Sequence, residues 1–423
     1  MLIFYRLLFP LVFLFFVPGL VWKLIRRSGW KKTYAERFSL FSRARREELR
    51  KYEGCVWLHA VSVGETNLAL TVLKRWTARE PDRKFVISTT TTTAQEIARN
   101  KAPAGAAVIF CPIDSSVFVR RTLDLLKPSA LVIFETELWP NMVLMSRRRG
   151  IRTVLVNCRT SDRSFRGYRR FRMFFAPLLR AFDVIAAQTE SDRDRLTAVA
   201  PDIRDRIAVT GNIKFDQTPP PGPGFDFSEV FGPGTGKVIV AASTHEPEEP
   251  LLIRSYQRIL SDFPDAKLVI VPRHAERGDV IEKELASSGL PYLRRSTGTG
   301  AGGLPSVLLA DTTGELVGFL KSADLVIMGK TLAGNDEGQN IMEPAMLGKP
   351  VICGNQLRNF RQAIDALRKN SAVRTVASDE ELPDALRELL SDPEKADAMG
   401  AAAARTILEN RGALEKTMDL LMK

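Results

Sequence analysis

The sequence predicts an α/β protein built from two doubly wound domains facing each other across a cleft. Three observations carry that expectation. Short apolar runs alternate with segments of helical periodicity, CVWLHAVSV, KFVISTT, AAVIFCP, ALVIFET, TVLVN and FDVIAAQT in turn, which is the pattern of parallel strands joined by crossover helices. A stretch too rich in proline and glycine for regular structure, TPPPGPGFDFSEVFGPGTG, then breaks the alternation. After it the pattern restarts with KVIVAAST, KLVIVPRH, SVLLAD, ADLVIMG and KPVICG, and a chain of 423 residues has ample material for two cores.

Taken in order, the chain opens on an uncharged apolar run from Leu7 to Trp22, followed at once by KLIRRSGWKK. Basic charge after the run and little before it predicts a membrane anchor over residues 1–27, spanning or interfacial, with the remainder cytoplasmic. Pro10 and Pro18 interrupt the run, which is short for a span of roughly 20 residues, so a buried helix is the other reading. No small-x-small cleavage site follows, which argues against a signal peptide. Residues 28–216 form the first expected domain, 217–236 a linker and 237–423 the second. The heptad-like spacing of the last forty residues predicts helices that cap the second domain, with a return to the first also open.

The formal net charge of +12 is unevenly spread: residues 1–200 hold 35 Lys and Arg against 17 Asp and Glu, residues 201–423 hold 26 against 32. A basic first half suits nucleic acid, anionic lipid or a phosphorylated substrate alike. Cys55, Cys111, Cys158 and Cys353 are scattered, with no CxxC pair, which points to reduced thiols and away from structural zinc.

Several motifs fail on context. GPGTGK at Gly232 to Lys237 precedes a strand, whereas a dinucleotide fingerprint follows one. GKT at Gly329 to Thr331 lacks the glycine five positions earlier, where Asp324 stands. Asp192-Arg193-Asp194 has the spacing of a cation-holding DxD, but within TESDRDRL it reads more simply as acids in a first helical turn.

Others are placed where chemistry is expected, since open α/β sheets bind ligands beyond the carboxyl ends of their strands. VSVGET puts Glu65 there, as a candidate base or as an acid complementing a helix dipole. ETELWP puts Glu135 and Glu137 at alternate positions after a strand, on one face if the strand continues, where their repulsion needs an answering group. All three histidines, His59, His245 and His274, fall at predicted strand ends facing the cleft. PRH places Arg273 where a guanidinium can hold a phosphate through two parallel bonds. In GQNIMEPAMLGKP, Asn340 and Glu343 have capping-box spacing, and the same helix start offers N–H groups to a phosphate.

Together, WLHAVSVGE, ISTTTTTAQE, ETELWPN, VNCRTSDRSFRGY, TGNIKFD, ASTHEPEE, VPRHAER, DTTGEL and NIMEPAMLGKPVICG resemble, in order, the 3-deoxy-D-manno-oct-2-ulosonic acid (Kdo) transferases of lipopolysaccharide assembly. The resemblance covers about residues 55 to 360. It implies a metal-independent, cofactor-free, inverting glycosyltransferase of the GT-B fold at the cytoplasmic face of the inner membrane. The enzyme would carry Kdo from CMP-Kdo to a phosphorylated lipid A precursor, lipid IVA, with the membrane and no nucleic acid as partner. By the same resemblance Glu65 is the general base, and Glu135 and Lys214 stabilise the transition state. Pro272, Arg273, Thr313, Gly314, Glu315, Asn340, Ile341, Met342 and Glu343 hold CMP. The chain departs from the family's pattern at Gln339, where a histidine is expected, and at Ala94, where glycine closes the threonine run. Another nucleotide-sugar transferase acting on a membrane lipid, or a membrane-tethered nucleic-acid-binding protein, are the alternatives.

Overall fold

The computed structural model describes residues 35–218 and 222–423. The expected anchor, residues 1–27, lies outside them; among the described residues no helix is long and apolar enough to cross a membrane. The chain divides into two compact units, Met1–Asp216 with Arg411–Lys423, and Gln217–Asn410.

The first unit is a seven-stranded sheet, β1 Val56–Ala60, β2 Phe85–Thr89, β3 Ala106–Phe110, β4 Ala130–Phe134, β5 Arg152–Cys158, β6 Val184–Ala187 and β7 Ile207–Val209. The order is β3-β2-β1-β4-β5-β6-β7 and every pairing is parallel. Its strands are largely apolar because helices cover both faces, with His59, Ser88, Thr153 and Asn157 among the buried polar exceptions. Alternate residues serve two cores: Val56, Leu58 and Ala60 enter one, Trp57 the other. The order reverses beside β1, so the loops leaving β1 and β4 diverge and leave a crevice at the strands' carboxyl ends.

The second unit repeats the plan with β8 Val238–Thr244, β9 Lys267–Pro272, β10 Tyr292–Arg294, β11 Gly300–Ala301, β12 Val307–Leu309, β13 Leu325–Met328, β14 Val351–Gly354 and β15 Arg374–Val376. The order is β11-β10-β12-β9-β8-β13-β14-β15, parallel except for the β10–β11 pair. Its reversal falls between β8 and β13. There Gly329 lies so close that a Cβ would stand 2.3 Å from the Ser243 carbonyl oxygen, which leaves glycine as the only residue that fits.

Two boundaries differ from expectation. The later part of the proline- and glycine-rich stretch is folded, not a free linker: Phe227 and Phe231 are buried, and Phe225 and Phe227 pack on Phe319 with ring centroids 4.8 and 6.0 Å apart. The aromatic residues of FDFSEVF supply the apolar area that the glycines lack. At the other end, helix Ala413–Leu421 belongs to the first unit rather than to the second domain in which 237–423 had been placed. It buries Ala413, Met418 and Leu421 in the core that holds Val56 and Leu58. Asp216 accepts from Gly412 N–H at 2.6 Å and Leu414 N–H at 2.7 Å, while Arg152 donates to the Leu420 and Leu421 carbonyls, each at 2.7 Å. Both ends of the helix are thus anchored by side chains from elsewhere.

Replacing Asp216→Ala strands two N–H groups at that helix start. It should lower stability by about 1 kcal/mol or somewhat more, read as a lower thermal midpoint with unchanged circular dichroism.

Candidate active site

In the first unit the β1 loop enters helix Val63–Arg79 through Ser62, whose Oγ accepts weakly from Glu65 N–H at 3.4 Å. Glu65 answers it: Ser62 Oγ–H donates to Oε1 and Val61 N–H to Oε2, each at 2.8 Å. The SxxE spacing thus produces a variant of the capping box, which explains why an acid can sit 6% exposed at a helix start. Burial pushes the Glu65 carboxyl upward, the bonds from Val61 and Ser62 oppose the shift, and the charge of Glu135 adds to it.

Glu135 follows β4 directly. Strand geometry ends at Phe134, and Glu135 takes φ +56°, so the two acids of ETELWP stand in a turn rather than on one strand face as expected. A non-glycine residue in this left-handed region is costly and marks a position held by its surroundings. Here Glu135 N–H donates to Val156 O at 2.8 Å, and Lys214 Nζ bonds Oε1 at 2.9 Å. Among the described residues Glu137 has no such cation. Burial first, then the charges of Glu65 and Glu135, push it up to about 7. The first unit thus gathers Glu65, Glu135, Glu137 and Lys214 at one sheet edge. The sequence shows Glu137 as half of a pair, but its proximity to Glu65, 72 positions earlier, is not readable from spacing.

In the second unit, the edge of β8, β9 and β13 collects His245, His274, Arg273, Asn340 and Glu343. The His245 and His274 rings meet edge to face at 5.7 Å, and Gln339 Nε2 lies 3.5 Å from His245 Nε2, so Gln339 still reaches that imidazole. Arg273 follows Pro272, the last residue of β9; its N–H donates to Thr244 O at 3.0 Å and its side chain is exposed. Burial raises Glu343, while the Asn340 amide, donating at 2.9 Å, and the Arg273 charge restrain it. Asn340 and Glu343 therefore bond to each other, and no side chain caps the short helix Met342–Met346. Asn340 Oδ1 is buried with no hydrogen-bond partner among the described residues. Ile341 and Met342 are buried, so only their backbone could face a ligand. Thr313 and Gly314 are exposed after β12. Glu315 is turned to Arg295, which donates at 2.7 Å and holds its carboxyl below the usual range.

One further placement, that of His59, departs from expectation, whereas Asp192 stands in the first turn of helix Glu190–Val199 as its sequence context predicts. His59 does not line a cleft: it is fully buried under Trp139, with Nδ1 3.0 Å from Ser88 Oγ, and burial brings it down to about 4. Asp192 binds Thr160 N–H at 2.7 Å and Thr189 Oγ–H at 2.6 Å, which makes it a loop and helix-start anchor. Ala94 is buried, its N–H on Thr91 Oγ at 3.2 Å. The four cysteines are buried and free, and among the described residues no group of three or more His, Cys, Asp or Glu could hold a metal ion.

The fold is that of two-sheet, GT-B-like glycosyltransferases. A glycosyltransferase from Rickettsia africae superposes with TM-score 0.58 over 87% of this chain and 97% of its own at 13% identity. A UDP-N-acetylglucosamine 2-epimerase, described as putative, from Listeria monocytogenes gives 0.55 over 84% and 94% at 14%. Sequence narrows the class. Residues 32–217 match the profile of 3-deoxy-D-manno-octulosonic-acid transferase (kdotransferase). The 3-deoxy-D-manno-octulosonic acid transferase of Bordetella pertussis is 32% identical over 98% of this chain and 96% of its own; that of Haemophilus influenzae is 29% identical over 94% and 92%. The chain belongs to the 3-deoxy-D-manno-octulosonic acid transferase family and is a glycosyltransferase of lipopolysaccharide biosynthesis.

The cluster has a pH signature. Because the folded state lifts Glu137 from an ordinary 4.5 to about 7, it holds a proton that the unfolded chain has lost between those values. Stability contributed there falls as pH rises through that window. Glu137→Gln should therefore raise the thermal midpoint most above pH 7, and the gain should fade towards pH 4.5. A gain independent of pH would assign the effect to packing.

Proposed function

We propose that the enzyme transfers Kdo from CMP-Kdo, with inversion, to a hydroxyl of a phosphorylated lipid A precursor such as lipid IVA. Glu65 is the general base. The acceptor oxygen forms a bond to the anomeric carbon as the bond from that carbon to the CMP phosphate breaks. Glu65 takes the hydroxyl proton, and the electron pair leaves with CMP. The observation that carries this reading is the state of Glu65: a buried carboxylate, raised above its ordinary range, at the edge where the first sheet reverses. Such a group accepts a proton more readily than a solvated one.

Glu135 and Lys214 act as a pair, the ammonium fixing a carboxylate beside the reacting carbon so that positive charge developing there is met without reorganisation. The donor is held at the carboxyl edge of the second sheet by Pro272, Arg273, Thr313, Gly314, Glu315 and the run Asn340 to Glu343. An exposed guanidinium at Arg273 that makes no ion pair among the described residues suits a phosphate, and Asn340 Oδ1, unpartnered among them, suits a donor hydroxyl or amine. Glu315 would serve the nucleotide through the Arg295 pair that positions it. The apolar run Leu7 to Trp22 anchors the enzyme at the cytoplasmic face of the inner membrane, where its acceptor lies.

Incubation with CMP-Kdo and a tetraacylated, bis-phosphorylated lipid A precursor should give a product heavier by Kdo; activity only with UDP-sugars would replace this reading with another donor. Glu65→Gln should keep CMP binding and lose about 10²–10⁴-fold in turnover. Arg273→Ala should weaken CMP binding together with turnover, and unchanged CMP affinity would remove the arginine from the phosphate site.

A further inference from the structure

Helix Asp162–Arg170 leaves the carboxyl end of β5 and is followed, after Phe171, by helix Arg172–Leu179. The twelve residues from Asp162 to Met173 hold five arginines and one acid. The segment is sharply two-sided. Phe165 and Tyr168 pack against the first unit's core, together with Phe175. Arg163, Arg166, Arg169 and Arg170 point outward, and among the described residues none of the four makes an ion pair. Spacings of three and four residues set Arg163, Arg166 and Arg170 along one stripe. The lone acid, Asp162, is bound by Arg195. Beside the stripe, Phe171 is 58% exposed and Met173 91%, the most exposed large apolar side chain among the described residues.

Arg170 lies 5.7 Å over the Phe171 ring and Arg169 5.9 Å over that of Phe165, contacts that leave their charge unneutralised, and a cationic stripe beside two exposed apolar tips suits anionic lipid. Guanidinium groups reach phosphate headgroups, and the apolar tips enter the acyl boundary. Its position adds to the argument. Arg159, just before the helix, is tied to the Glu135 loop, its N–H donating to Thr136 Oγ at 3.3 Å. Burial pushes the Tyr168 phenol on the helix's inner face up to about 12, and Cys158 and then Glu137 add to the shift. The stripe therefore borders the edge that carries Glu65, Glu135 and Glu137.

We propose that the segment from Arg163 to Met173 is a second membrane contact, in which the arginines bind anionic headgroups and Phe171 and Met173 dip into the bilayer, so that a lipid acceptor meets the carboxylates without leaving the surface. It rests on the reading of a membrane-lipid acceptor, but its test does not depend on turnover. All native cysteines are buried, so Met173→Cys in the full chain can be labelled selectively with bimane. With vesicles of equal parts phosphatidylglycerol and phosphatidylcholine, the label's emission should shift to the blue and its quenching by iodide fall several-fold. Adding Arg166→Gln and Arg170→Gln should abolish most of both changes while the chain still floats with the vesicles. A label as quenchable on vesicles as in buffer would overturn the proposal, and so would protection that survives the two arginine replacements or that appears equally with phosphatidylcholine alone. Tight binding of the stripe to single-stranded RNA with no lipid response would overturn it in favour of nucleic acid. Kdo transfer, assayed separately with detergent-dispersed acceptor, tells a failure of this surface from a failure of the catalytic reading.

Discussion

In each unit a buried carboxylate sits where the parallel sheet reverses, and the difference between Glu65 in the first and Glu248 in the second explains much of the molecule. Glu65 stands in the first turn after β1 and Glu248 in the first turn after β8. Each bonds a backbone N–H of the loop just before it, from Val61 at 2.8 Å and His245 at 2.9 Å. Glu248 then reaches across the reversal and accepts from the N–H groups of Lys330, Thr331 and Leu332 at 2.8 to 2.9 Å. With four donors its acceptor capacity is used, and it latches the β8 and β13 loops together. Glu65 receives no donor from the β4 loop. What that loop presents instead is Glu135 and Glu137. The same architectural position is closed in one unit and left chemically open in the other.

The open position has an energetic consequence. Three carboxylates near one another, each partly removed from water, cannot all ionise at the cost they would pay in solution. Lys214 pairs with Glu135, while Glu65 and Glu137 are both raised, by burial first and then by the neighbouring carboxylate charges. The left-handed backbone of Glu135 belongs to the same account, since a residue held against its preferred conformation keeps its side chain aimed. Ser243 and Lys330 adopt the same region at the reversal of the second sheet. Backbone strain thus collects at the ligand edges of both sheets.

Most strands were legible because buried parallel strands are nearly continuous apolar runs, and VWLHA or ALVIF reads as little else. β7, β10, β11 and β15, of two or three residues, carry too few apolar positions to stand out. The last helix has the same periodicity as its predecessors, and long-range contacts decide which unit it joins: burial of Ala413, Met418 and Leu421 in the first core, with the Asp216 and Arg152 bonds. At the site, single residues at strand ends could be picked out, because strand ends are local features. Which of them meet could not: His59 and His245 look alike as sequence, yet Ser88 and Trp139 enclose the first while Gln339 and His274 flank the second. Long-range packing, not local pattern, separates a core histidine from one at a site.

The basic first half can be apportioned in the same way. Some of its arginines are structural, used where backbone oxygens or acids need a donor: Arg45 on the Val108 carbonyl, Arg152 on the end of the last helix, Arg180 on Asp202. These would be needed whatever the protein bound, and they say nothing about partners. The surplus that remains is not diffuse, because four arginines that form no ion pair among the described residues fall within eight residues, on the outer side of a helix whose inner side is aromatic. Solvation alone would be served by any mixture of charges spread over the surface. Concentrating like charges on one face costs mutual repulsion, and that cost is offset only when an anionic surface meets them. The charge asymmetry visible in the bare sequence is therefore informative only after the structural arginines have been subtracted.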